Sequence, residues 1–259
     1  MSFLQHLEAL RWHLVRSAAV VMILAFVLFY YKEIVFDTII FGPMHSDFLT
    51  YRALCKVSRL AGLGDMLCMQ SISFSLINID LSGQFTTHIW TSVIGGLVVG
   101  SPYVLWELWR FVRPALREKE RKYTSGVVLY ASLLFITGVL FSYYIIVPMT
   151  INFLGNYQVT PMIKNTISMD SYISTVTILT LIMGLVFELP IIIYFLTKIG
   201  LLGSAFMKKY RKHAIIVILI VAAIITPTSD IPTLVIVSTP LYVLYEASIF
   251  VSKYVEKKK

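Results

Sequence analysis

Charge is what this sequence has least of. Asp, Glu, Lys and Arg make up 14% of its 259 residues, where a soluble domain carries about 25%. The deficit excludes an ordinary water-soluble fold, because too few charged groups remain to cover its surface. Cysteine is also scarce. Cys55 and Cys68 are the only two, too few for a disulfide framework. They share one loop, and the spacing fits a bridge, if that loop is extracytoplasmic, as well as it fits two free thiols. No GxxxxGK[ST] phosphate loop occurs, which excludes nucleotide hydrolysis by that route. There is no HExxH, no paired Cys/His zinc spacing and no GxSxG. The five histidines are scattered. These absences argue against an enzyme and imply neither cofactor nor metal. No early apolar run leads into a small-residue cleavage site, so no removable signal peptide is expected.

What is there is apolar sequence, 58% of the chain, in long runs. Such runs predict an all-α integral membrane protein, one polytopic domain over 1–259. Six transmembrane helices are expected, at about 15–31, 85–108, 124–147, 169–196, 213–227 and 233–250. The last two are barely long enough for a hydrocarbon core of about 30 Å, so a concave bundle with local membrane thinning is expected. The segment 32–84 reads as an ordered external loop with short helical or extended pieces. Ser92, Gly96 and Gly100 step by four, a face that lets another helix approach closely.

The cations set the orientation. Seventeen of the 22 Lys and Arg residues fall on the side of both termini, and five, Lys32, Arg52, Lys56, Arg59 and Lys164, fall on the other. The positive-inside rule makes the first side cytoplasmic. The cations therefore read as topology determinants, and nucleic acid is not implied.

The chain is organised around residues 179–194, LTLIMGLVFELPIIIY. Glu188 interrupts a run that is otherwise fit to cross the membrane, and Pro190 follows it. An acid at a helix centre costs about 2.5–3.5 kcal/mol on insertion scales, and intramembrane acids mark functional sites by default. Asp170, Ser174, Thr177, Thr180, Gly184 and Glu188 share one stripe of the helix. The stripe either faces the bundle interior or forms a groove for another helix. A second set of acids lies on the cytoplasmic side. Glu8 precedes Arg11 by three residues, pairing distance on a helix. Glu107, Glu118 and Glu120 lie in the cation-rich stretch 106–123. Ordinary surface ion pairs, worth about 0–1 kcal/mol, account for Glu107 and Glu118. The alternative is a site for guanidinium groups, which bind carboxylates in planar, bidentate fashion as lysine does not.

Several of these segments together resemble the TatC family, the multispanning core subunit of the twin-arginine protein translocase. The segments are HLEALRWHL (6–14), FGP (41–43), SPYVLWELWRFVRPALREKERK (101–122), FELP (187–190), TPTSD (226–230) and PLYVLYE (240–246). The resemblance covers nearly the whole chain. It implies a receptor subunit in the bacterial cytoplasmic membrane that binds twin-arginine signal peptides. With TatA- and TatB-type single-span partners it would export folded proteins on the proton-motive force, self-associating in a larger complex. Glu120 matches the loop acid that helps bind the twin arginines, and Arg11 an arginine of the N-terminal motif. Glu188 matches the intramembrane acid linked to partner contacts, and Asp230 the acid after the fifth span. Pro43, Pro114 and Leu116 match motif positions with structural or recognition roles. Two departures stand out. Ala9 occupies the usual place of the N-terminal acid, leaving Glu8 or Glu118 as Glu120's companion. His13 replaces an arginine of the same motif.

The rival is a proton- or ion-coupled secondary transporter using Glu188. Such transporters commonly show two related halves with matching broken helices. Pro190 has no counterpart in an equivalent earlier span.

Overall fold

The computed structural model describes residues 3–45, 47–60, 75–112, 124–160, 165–226 and 231–257. Among these, helix dominates. α1 (Phe3–Tyr30) is a single helix, so the amphipathic start and the first apolar run are continuous. A π-helical segment (Ile34–Ile40), a 3-10 turn (Gly42–Met44) and α2 (Leu49–Leu60) lie in the first part of the loop expected after it. α3 (Gly83–Val112) is the second long helix and carries Pro102 within it.

The third apolar run departs from its expected end at Pro148. α4 (Thr124–Phe141) passes through a π turn (Ser142–Ile146) into α5 (Val147–Asn156), with Pro148 in the first turn of α5. The π turn just before it lets the chain absorb a proline that cannot donate to the helix ladder, and the helix continues. The FELP segment breaks the next run as a proline should. α6 (Met169–Val186) ends, Phe187 and Glu188 form a turn, and α7 (Leu189–Ile199) begins with Pro190 in its first turn. α7 closes on Gly200 in the left-handed region, φ 87°, the usual C-terminal helix stop.

A short α8 (Ser204–Lys209), then α9 (Arg211–Ile225) and α10 (Ile231–Lys257), complete the chain. α9 has 15 residues, about 22 Å at 1.5 Å per residue. α10 runs on past 250, so part of the basic tail is helical. Among the described residues, five helical runs are long and apolar enough to cross a membrane: Leu7–Tyr30, Gly83–Val112, Gly126–Asn156, Met169–Ile199 and Thr233–Lys257. α9 is apolar but shorter than these.

Small residues set the helix contacts. A Cβ on Gly96 would lie 2.7 Å from the Val21 carbonyl oxygen and 2.8 Å from the Ala25 nitrogen, so α1 and α3 touch backbone to backbone. A Cβ on Gly138 would lie 2.6 Å from the Met183 carbonyl, the equivalent approach of α4 to α6. Around these contacts Ile146, Val147, Ile173, Val176, Met183, Val237 and Leu241 are fully buried. α10 is held to α7 by Thr197 Oγ1 donating to Ser252 Oγ at 3.0 Å. It is held to α8 by Tyr245 Oη donating to the Met207 carbonyl at 2.8 Å and by the Ser204 N–H donating to Glu256 Oε1 at 2.8 Å.

The end of the bundle that carries the 3-10 turn is tied by tyrosines. Tyr51 of α2 donates to the Pro43 carbonyl at 2.8 Å, Tyr172 of α6 to Ile40 at 2.9 Å, and Tyr143 to Ile39 at 2.8 Å. Burial raises the Tyr51 phenol above its ordinary pKa, which keeps it a donor. Pro43 is fully buried beneath these contacts. Strand β1 (Ser75–Ile77) pairs in parallel with β2 (Thr166–Ser168), joining the two loops that carry them. A parallel pair requires a long crossover, and here α3, α4 and α5 provide it.

Candidate functional site

The start of α1 and the end of α3 share one end of the α1–α3 pair, and Glu8 and Arg11 stand there. Antiparallel contacts fix its register. Gly96 meets Val21 and Ala25, Gly95 meets Leu28, and Gly100 meets Leu24. His88 stacks on Phe29 with centroids 3.9 Å apart and bonds its carbonyl at 3.1 Å. His13 meets Glu107. Each step toward the start of α1 is thus a step toward the end of α3. That register brings Glu8 level with Val112, the last residue before 113–123.

Glu8 and Arg11 are both exposed, and among the described residues no ion pair joins them. Their side chains are therefore not committed to each other. Pro114, Leu116, Glu118 and Glu120 lie outside the described residues, as do Asp230 and Cys68. Cys55 is disulfide-bonded.

Glu107 corrects the sequence reading. Expected as one of an ordinary surface pair, it is the most buried carboxylate among the described residues, only 1% exposed. Its Oε2 is bonded to His13 Nδ1 of α1. Its Oε1 accepts from Tyr103 Oη and Arg110 Nη1, both at 3.2 Å. Three donors compensate a buried carboxylate that would otherwise be strongly destabilising. Arg110 also lies over the Trp106 ring, 4.7 Å from its centroid. The signal was present in sequence: Tyr103 and Arg110 stand four residues before and three after Glu107, on one helix face. The partner on α1, 94 residues away, was not visible there.

The second candidate site is the α6–α7 break. Glu188 is buried at the turn. Its Oε1 has no hydrogen-bond partner among the described residues. Two hydroxyls of the stripe leading to it are satisfied within their own helix. Thr177 donates to the Ile173 carbonyl at 2.8 Å and Thr180 to Val176 at 2.7 Å. Thr177 and Gly184 are buried, and Asp170 accepts from Thr87 of α3 at 3.2 Å. Thr177, Gly184 and Glu188 thus lie on the bundle interior, whereas Asp170 is exposed. Among the described residues no cluster of His, Cys, Asp and Glu could hold a metal ion.

The chain resembles a family of known proteins in both sequence and fold. A family model described as "Sec-independent protein translocase protein (TatC)" matches residues 5–240. A TatC protein of Blattabacterium sp. subsp. Periplaneta americana is 41% identical over 260 residues, spanning 100% of this chain and 97% of that one. One of Aquifex aeolicus is 31% identical, over 100% and 98%. A crystal structure titled "Twin Arginine Translocase Receptor- TatC" superposes with a TM-score of 0.71 at 30% identity, covering 97% of this chain and 99% of that one.

Proposed function

Since the chain belongs to the TatC family of the twin-arginine protein translocase, we propose that its cytoplasmic carboxylates read the arginine pair of an export signal. It is a multi-pass membrane protein of the Sec-independent translocation system. The finer reading is as follows. Glu120, with Glu8 or Glu118, takes the two guanidinium groups. Arg11, Pro114 and Leu116 shape the surface around them. Hydrogen bonds to charged groups are worth about 1.5–3 kcal/mol each, so two gripped arginines give specific capture without a deep pocket. The observation that supports this reading is the register of α1 on α3, which brings Glu8 level with Val112 at the end of α3.

The chain crosses the bacterial cytoplasmic membrane six times as one domain over 1–259, α9 being the short fifth span, with both termini cytoplasmic. Its part is binding, not catalysis. The apolar portion of the signal lies along the concave bundle near Glu188. Glu188, Thr177, Thr180 and Asp230 contact single-span partners of the TatA and TatB type, and Pro43 stiffens the external loop. Six helices cannot enclose a pore for a folded protein, so these partners and further copies complete the pathway, driven by the proton-motive force. Cys55 and Cys68 form one bridge. The solute-transporter alternative draws no support from the relatives.

Glu120→Ala is expected to lower crosslinking of a twin-arginine signal peptide at least tenfold, with export of a twin-arginine reporter falling in parallel. Undiminished crosslinking would remove Glu120 from the site.

A further inference from the structure

Very little of α1 is held by protein: 6% of its membrane-crossing window is buried. Its close contacts to α3 run from Phe29 to Val21. Beyond Val21 toward the cytoplasm, Leu14, Val15 and Arg16 are exposed, as are Glu8, Arg11 and Trp12. Ala9, Leu10, His13, Ser17 and Val20 are half-buried. Of these, the His13 ring is bonded to Glu107 and set edge-on to Phe111 with centroids 6.1 Å apart. A helix end with few apolar contacts takes its position from whatever specific bond it makes. Here that bond joins a deeply buried carboxylate to the residue that departs from the family's N-terminal pattern.

We propose that His13 and Glu107 are a positioning pair. The pair pins the cytoplasmic end of α1 so that Glu8 stands level with the end of α3. The inference rests on reading Glu8 as part of the signal-peptide site. Neither His13 nor Glu107 touches the guest. Glu107 is covered and its oxygens are already bonded to His13, Tyr103 and Arg110. His13 supplies the only one of these bonds that crosses to α1, through an Nδ1–H donor. A neutral amide at the same place, as in His13→Gln, retains a donor for the carboxylate.

The charged and titratable groups around the pair come from both helices. Arg16 and His13 belong to α1, and Tyr103, Glu107 and Arg110 to α3. Loss of His13 leaves Tyr103 and Arg110 on Glu107, so the carboxylate stays partnered and the fold survives. What is lost is the tether on α1.

The test is a double-mutant cycle on the full-length, detergent-solubilised protein, read as the Kd of a fluorescent twin-arginine signal peptide. Glu8→Ala and His13→Ala are each expected to weaken binding about tenfold. In the Glu8→Ala background, His13→Ala should add no further loss, because a tether matters only while its cargo is present. His13→Gln should restore most of the affinity. Coupling of this kind is the signature of residues acting through one another. Additive losses would overturn the proposal, since general destabilisation adds. Unchanged Kd in His13→Ala beside a weakened Glu8→Ala would overturn it and leave the signal-peptide site standing. Unchanged Kd in Glu8→Ala would instead remove Glu8 from the site, and the proposal with it.

Discussion

Gly138→Leu will leave little folded protein in the membrane, and Gly96→Leu will do nearly as much damage. At both positions the first atom of a side chain meets backbone. The distance is 2.6 Å to the Met183 carbonyl oxygen from position 138, and 2.7 Å to the Val21 carbonyl oxygen from position 96. A side-chain obstacle can rotate away, but a helix backbone moves only if the whole helix moves. Overpacking typically costs about 1–3 kcal/mol, and a forced helix displacement lies at or above the upper end. In lipid there is little apolar driving force to restore the contact, because helix association depends on close packing. The measurement is the monodisperse fraction after extraction, with the melting temperature of what survives. Gly126→Leu is the control, because nothing lies within 4 Å of its Cβ position. Equal yields for all three substitutions would show that these close approaches do not hold the bundle.

Glu188→Leu is expected to separate stability from function. The buried Oε1 of Glu188 has no hydrogen-bond partner among the described residues. An unsatisfied buried polar group costs about 1–3 kcal/mol. Replacing it with an apolar side chain of similar length should therefore raise the melting temperature or leave it unchanged. Export of a twin-arginine reporter should nevertheless fall at least tenfold, because the carboxylate is read as the contact for a partner helix. Glu188→Gln tests the charge alone and should also lose export. Normal export by the leucine variant would mean that the acid at the α6–α7 break has no role in transport.

The apolar runs located the long helices because a membrane leaves few alternatives: backbone polar groups must be satisfied within each helix. The Ser92–Gly96–Gly100 face was legible for a related reason, since only small residues permit the approach of α1 seen at Val21 and Ala25. The break at Glu188 followed from Pro190, which cannot donate to the ladder. Pro148 misled in the same terms. The chain relieves it with a π turn over Ser142–Ile146 and continues as helix to Asn156. The tail's helical extension to Lys257 was hidden too, because Tyr245, Ser252 and Glu256 are held by residues on α7 and α8.

Glu107 was the largest miss. In sequence it is one acid in a run of cations, and such acids are usually exposed. Its burial depends on α1 lying against α3, a long-range fact that local spacing does not report. Thr177 and Thr180 show the converse. Their polarity left an interior stripe and a groove equally open, and the structure shows each hydroxyl donating to a carbonyl four residues back.

The most direct measurement is capture of a twin-arginine signal peptide by the purified full-length protein, set against the same peptide with both arginines changed to lysine. Planar carboxylate–guanidinium pairing predicts strong retention of the first and at least a tenfold weaker hold on the second. Equal retention would contradict it, and would mean that the guest is held by charge or grease and not read by its arginines.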